Sequence, residues 1–425
     1  MKRTFYLFCA LVLLAGCNKK QVSNNPVINP IMPIHYTGDS MTIHRTDYLP
    51  WMEDSIMDIS GENVLRTMTI GQYDLVILPN LPRVQGLYTL PYKNNNQIAF
   101  TTQDKRQDLR IIALLGDQCL AADSIRYADS IYTLALPGNL PQGRSFIRIY
   151  AQSDSALYND LLIPLQDGQP FINANLLTRH DDQAQVLYSM LVDRFNNGNP
   201  DNDWKMNSPE VLDIVDYQGG DLKGITLKIQ EGFFDSLGIT TLWVSPITQN
   251  PWDAWGHYTF KNGNKYDSTM TYTKYSGYHG YWPLFTTSLE KRFGTDAELK
   301  ELLTTAHQHN MNVILDYVAN HMHINAPTLQ EHPDWHTDSI LPDGRRNFEL
   351  WDEARLTTWF DVHIPTLDLE RPEVCDPMTD SALYWLENYE LDGFRHDACK
   401  HIPEIYWRTF GHKLATRFPD RHIWM

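Results

Sequence analysis

An α/β fold built on a parallel sheet, preceded by an all-β domain, is what this sequence predicts, and three observations predict it. From residue 185 onward short apolar strands alternate with stretches of helical apolar spacing. Between about 41 and 151, β-prone runs follow one another with turn residues between them. The chain of 425 residues is longer than one core usually organises, so two domains or more are expected.

The β-rich domain is placed at 35–180. Its strand candidates are 74–78, 97–102, 109–115, 131–136 and 145–151, separated by turns such as Lys93-Asn94-Asn95-Asn96 and Pro137-Gly138-Asn139. Short strands at this spacing predict a sandwich. It is read equally as a packing module or a glycan-binding one.

The second domain is placed at 181–425. Its strands are predicted at 186–192, 241–245, 312–318 and 391–397, and its helices at 225–237, 296–309, 377–390 and 404–418. Asp296 is expected as an N-cap, with Leu299, Leu302, Leu303 and Ala306 on one face. His422-Ile423-Trp424-Met425 opens a fifth strand. Repeated βα units imply parallel strands, and eight of them close a (β/α)8 TIM-type barrel, of which about the first half is present. The stretch 321–368, rich in His, Asp, Pro and Trp, breaks the alternation and reads as an irregular insertion after strand three.

Charge and the N-terminus narrow the function. A formal net charge of -17 with no basic run excludes a nucleic-acid partner and leaves neutral polymers open. Met1-Lys2-Arg3 followed by the apolar run 4–15 reads as a secretory signal, too short to span a bilayer. Leu14-Ala15-Gly16-Cys17 resembles a bacterial lipobox, with Cys17 as the lipid anchor, 1–17 as the signal and 18–34 as a polar tether. A membrane partner through the N-terminal lipid and a cell-envelope location follow as expectations. Cys119, Cys375 and Cys399 have neither disulfide-framework nor zinc spacing.

Chemistry concentrates in Gly393-Phe394-Arg395-His396-Asp397-Ala398-Cys399-Lys400-His401. Arg395 and Asp397 are two apart, so an extended strand sends both side chains to one face. A guanidinium there favours the charged carboxylate that a nucleophile or base needs. For Arg-x-Asp alone, a salt-bridged strand end is the commoner reading.

Three other segments precede it in order: Tyr278-His279-Gly280-Tyr281-Trp282-Pro283, Asp316-Tyr317-Val318-Ala319-Asn320-His321 and Ile364-Pro365-Thr366-Leu367-Asp368. Together the four resemble the alpha-amylase superfamily, glycoside hydrolase family 13, over roughly residues 185–425. The resemblance implies Asp397 as the nucleophile of a retaining double displacement, with Arg395 orienting it and Asp316 supporting Arg395. It implies substrate contacts from His279, Tyr281 and His321, and from Lys400 and His401 on the acceptor side. The implied substrates are α-glucans such as starch and maltooligosaccharides, cleaved at α-1,4 bonds. The family's general-acid Glu ends strand five and is not reached by Met425, so the polypeptide is expected to be part of a longer enzyme and inactive by itself. A transglycosylase of the same family and a non-catalytic glycan-binding lipoprotein are the alternatives.

Calcium is the implied cofactor, at two places. Asn320, Asp368 and the His401 carbonyl match family ligands between barrel and insertion. Asn197, Asn199, Asn202, Asp203, Gly219 and Asp221 resemble a calcium loop after strand one in neopullulanase-like and glucanotransferase-like members. Val192-Asp193-Arg194-Phe195 points to the same subgroup, whereas Lys400-His401 looks like true alpha-amylases and glucanotransferases.

Overall fold

The computed structural model describes three short strands between 35 and 58, and residues 64–425 other than 71–72, 92–95, 172–175 and 259–271. The expected signal, Cys17 and the tether lie outside the described residues. The chain divides into two compact units, with the boundary between Ala184 and Gln185.

In the first unit, antiparallel pairing joins Gln118–Cys119, Arg110–Leu115, Arg144–Gln152 and Leu161–Gln166 into one sheet. A second sheet orders Ile125–Ala128, Ile131–Ala135, Gln97–Thr102 and Leu87–Thr89. Alternation decides the inner faces: Tyr132 and Leu134 point in from one sheet, Ile147, Ile149 and Ala151 from the other. They meet with Ile98, Phe100, Ile163 and Leu165 in a single core, which makes the unit a sandwich. The candidate 74–78 instead forms a hairpin, Arg66–Ile70 with Tyr73–Ile77.

In the second unit, β1 (Leu187–Met190), β2 (Thr241–Val244), β3 (Asn312–Tyr317) and β4 (Gly393–His396) pair in sequence order, all parallel. Every residue of β3 is buried, as a sheet covered on both faces requires. Trp424 begins the next pairing: its carbonyl accepts from Phe394 N at 2.9 Å and its own N–H donates to the Asp392 carbonyl at 2.8 Å. Gly393 permits this approach, because a Cβ there would lie 2.1 Å from the Trp424 oxygen.

Four helices pack on the sheet: α1 (Leu222–Gln230), α2 (Asp296–Gln308), α3 (Pro372–Asn388) and α4 (Glu404–Arg417). Three depart from the sequence expectation. The helix at 225–237 starts at Leu222, where the Asp221 carboxylate accepts from Gly224 N at 2.6 Å. It stops at Gln230, because Gly232 turns left-handed (φ 75°) before a separate turn, Phe233–Ser236. The N-cap of α2 is Thr295, not Asp296. Thr295 Oγ1 accepts from Glu298 N at 3.3 Å and the Glu298 carboxylate accepts from Thr295 N at 2.8 Å, a capping box. The helix expected from Pro377 starts five residues earlier, with Pro372 in its first turn and Pro377 inside it. Its buried stripe (Val374, Cys375, Met378, Ala382, Leu383, Trp385 and Leu386) runs past Pro377, so packing outweighs the missing N–H.

The two ends of the sheet are built differently. At the N-terminal end, Asp392 Oδ2 accepts from Val313 N at 2.8 Å and lies 2.9 Å from His307 Nε2 of α2. At the C-terminal end stands the insertion. It is held by isolated bridges, His321 with Thr366 and Phe348 with Trp359, and by one short helix, Pro327–Glu331.

Candidate active site

Register creates the site. Asp316 of β3 and Arg395 of β4 are direct neighbours in the parallel ladder, so carboxylate and guanidinium meet at the C-terminal end of the sheet. Arg395 Nη1 lies 2.9 Å from both Asp316 oxygens and 2.9 Å from Asp397 Oδ1. Asp316 also accepts from the Tyr281 hydroxyl at 2.8 Å and from Trp243 Nε1 at 3.1 Å. The Trp243 ring lies under the guanidinium, 5.0 Å from its centre. Burial pushes the Asp316 carboxyl up, against the bonds from Arg395 and Tyr281 that stabilise its charge. Burial, then the charge of Asp316, pushes the Tyr281 phenol above its ordinary range, so it stays a donor.

Asp397 is the first residue past β4, its amide tied to the Tyr317 carbonyl at 2.9 Å. Ala398 then takes a left-handed backbone (φ 51°), which turns the chain sharply away and leaves the carboxylate at the strand end. Asp397 is partly exposed, and no described residue donates a hydrogen bond to its Oδ2. One oxygen is therefore oriented and the other is open.

The Tyr278-to-Pro283 turn closes one side. Gly280 (φ 85°) fits where a Cβ would lie 2.1 Å from the Pro246 carbonyl, just beyond β2. His279 Nδ1 accepts from Tyr281 N at 2.9 Å, and the two rings stack at 22°. His321 Nε2 donates to the Tyr281 carbonyl at 3.0 Å. Burial holds His321 below its ordinary pKa, opposed by the nearby Asp397 charge. His279, Tyr281, Asp316, His321, Arg395 and Asp397 thus share one strand-end site.

Lys400 and His401 are drawn into the insertion. The Lys400 ammonium pairs with Asp352, its carbonyl accepts from Arg355 Nη1 at 2.7 Å, and His401 Nδ1 donates to the Arg355 carbonyl at 2.6 Å. The His401 ring packs edge-on against Trp351 and Phe360, which also touch each other. Sequence reasoning missed Trp243, Trp351, Asp352 and Phe360. The aromatic density of the insertion was a signal for Trp351 and Phe360, but the one bond that defines Trp243 spans 73 residues.

The proposed calcium ligands fall into two groups. Asn320 is fully buried and Leu367 N donates to its carbonyl at 2.9 Å, which brings it beside Asp368. Its Nδ2 donates to Thr366 Oγ1 at 3.3 Å, while its Oδ1 is buried with no protein donor. In the other group, Asn197 Nδ2 donates to Asp203 Oδ2 at 2.7 Å, and a Cβ on Gly219 would lie 2.4 Å from Asp203 Oδ1. Buried Asn202 has neither amide atom bonded, and with Asp203 and Gly219 it lines a cavity of about 40 Å³. The other two side chains serve as caps. Asn199 Oδ1 accepts from Asp201 N at 3.2 Å, and the Asp221 carboxylate accepts from Gly198, Asn199 and Gly224 amides.

Residues 189–423, more than half of the chain, match the family described as alpha amylase, catalytic domain. The chain belongs to this family. An intracellular maltogenic amylase of Bacillus subtilis (strain 168) is 26% identical over 261 residues, covering 57% of this chain and 37% of that one. Alpha-amylase mde5 of Schizosaccharomyces pombe is 28% identical over 246 residues, with 56% and 43% covered. A cyclomaltodextrin glucanotransferase of Bacillus sp. (strain 1-1) is 26% identical over 274 residues, with 58% and 36% covered. The matches span about two fifths of those relatives' lengths. As a member of the alpha-amylase family, the chain carries in β1–β4 the first half of a (β/α)8 barrel, with the next pairing begun on β4 by Trp424 and a β-sandwich before it in sequence.

Proposed function

We propose that the protein acts on α-1,4-linked glucans by a retaining double displacement, with Asp397 as nucleophile. The observation that carries this reading is the Asp397 carboxylate itself, oriented through one oxygen by Arg395 and open at the other. Ionised Asp397 would attack the anomeric carbon while an acid protonates the departing oxygen, and water or a sugar hydroxyl would then resolve the glycosyl ester. The acid must stand about 5–5.5 Å from the nucleophile. Asp316 is unsuited to that part, because it is buried and bonded by Arg395, Tyr281 and Trp243. We place the acid on the barrel strand that follows β4. His279, Tyr281 and His321 would hold the reacting sugar, and Lys400 and His401 would border the acceptor.

Calcium would bind at Asn320, Asp368 and the His401 carbonyl, where the orphaned Asn320 Oδ1 supplies an oxygen of the type calcium takes. A second ion would suit Asn197, Asn202, Asp203 and Gly219. When bound, the ion supplies cross-linking charge between barrel and insertion, not a reacting group. Cys17 would anchor the protein by lipid to a bacterial envelope membrane; among the described residues no helix is long and apolar enough to cross one.

The test is Asp397→Asn in the full-length gene product. Turnover of maltoheptaose should vanish while binding persists, and an active Asp397→Asn refutes the assignment. Products longer than the substrate in the wild type identify transfer over hydrolysis.

A further inference from the structure

Trp204 and Trp252 stand on the loops after β1 and β2, with ring centres 5.8 Å apart and planes at 35°. They are 45% and 43% exposed, unusual for two adjoining indoles. Neither is loosely held. The guanidinium of Arg292, only 3% exposed, lies 3.9 Å from the Trp252 ring centre and 4.2 Å from that of Tyr217. Its Nε donates to the Trp204 carbonyl at 3.1 Å, and its Nη1 pairs with fully buried Glu290 at 3.3 Å. One buried arginine thus packs on the Trp252 ring and holds the Trp204 backbone, so the loops that carry the pair have little freedom left to lose when a ligand lands on them.

The cations beside the pair are already matched, while Asp203, next to Trp204, has no cationic partner among the described residues. Arg292 pairs with Glu290, Lys205 with Asp213 at 2.5 Å, and Arg194 with Asp193 at 3.2 Å. Such a surface offers flat apolar faces beside polar groups such as Gln218 and no unpaired cation to draw an anion, which suits a ligand with apolar faces and hydroxyl edges. We propose that Trp204 and Trp252 form a second α-glucan-binding surface, separate from the strand-end site that carries Asp397. It rests on the α-glucan reading and adds to it a place where polymer is held without being cut.

The experiment is mobility of the full chain in native gels containing amylopectin. Trp204→Ala/Trp252→Ala should weaken retardation about tenfold, equivalent to about 1.4 kcal/mol. Trp252→Phe, which keeps a stacking ring, should stay within about threefold, and each single Ala variant should fall between. Tyr281→Ala, in the strand-end site, should leave most of the retardation in place. Melting temperatures matching wild type show that the surface, not the fold, was changed. Unchanged retardation in the double variant overturns the second surface and leaves the glucan reading standing. A wild-type chain that ignores amylopectin overturns both.

Discussion

Both carboxylate oxygens of Asp316 lie 2.9 Å from one nitrogen of Arg395, and the carboxylate is fully buried while the guanidinium is about one-third exposed. The pair is therefore asymmetric: the Arg395 charge is also met by solvent and by Asp397, whereas Asp316 depends on its donors. Asp316→Ala would strand Arg395, the Tyr281 hydroxyl and the Trp243 indole together. A loss of about 2–4 kcal/mol in urea unfolding is expected, at the lower part of the range for broken buried pairs because Arg395 is partly wet. A loss below about 0.5 kcal/mol would show that the network is not what holds these strand ends.

Tyr281 offers two separable properties, a hydroxyl to Asp316 and a ring beside His279. Tyr281→Phe should cost about 1.5–3 kcal/mol of stability, the usual worth of a bond to a charged group. It should keep maltooligosaccharide affinity, read by calorimetry, near wild type. Tyr281→Ala should weaken that affinity by about tenfold or more. Equal affinities for the two variants would contradict a stacking role.

His323 gives a pH signature. It is fully buried against Trp255 and His363, and its Nδ1 accepts from Asn325 N at 3.2 Å. Burial, with a smaller contribution from His363, pulls its pKa down to about 3. Above about pH 6.5 folded and unfolded forms are both neutral, so its full contribution to stability is present. As pH falls below that, the unfolded chain takes a proton that the folded site refuses, and about 1.4 kcal/mol is lost per pH unit down toward pH 3. His323→Gln should flatten the fall in stability between pH 6.5 and 5 by that slope, measured by urea melts. An unaltered slope would mean that the imidazole titrates normally.

The calcium proposal predicts a Tm that depends on the ion. Chelation should lower it, and calcium at about a hundred times its Kd should restore about 2.7 kcal/mol. Asn320→Ala, which deletes the orphaned Oδ1, should shrink that difference at the barrel–insertion site. Identical melts in chelator and calcium would remove the ion from the account.

Thr295 tests local structure alone. Thr295→Ala breaks the capping box of α2 and should cost about 1 kcal/mol. Thr295→Ser should be nearly silent, so a loss there as large as in Thr295→Ala would point to packing of the methyl group.

Much of this was legible from residue patterns. Strands β2 and β3 of the barrel unit showed because they are largely apolar on both faces, and the Arg395–Asp397 pairing because an extended chain brings residues two apart to one side. The capping box was present in Thr295-Asp296-Ala297-Glu298, but Asp296 is itself a good cap and drew the boundary one residue late. Pro377 looked like a helix start because proline rarely sits inside one; only the buried stripe on both sides of it overrides that preference. Asn199 and Asp221 carry the oxygen-rich pattern of a metal loop, yet short polar side chains also cap nearby amides, and that local competition is settled by backbone geometry. Trp243 was illegible, since an indole on a strand is core by default.

The clamp at Asp392 has a bearing on how this protein can change. It ties β3 and α2 at the end of the sheet opposite Asp397, so part of what secures the sheet lies away from the residues proposed to meet sugar. Loops above the sheet are free to be rewritten for new substrates, while the underside, untouched by such rewriting, goes on supplying the rigidity on which any new specificity would be mounted.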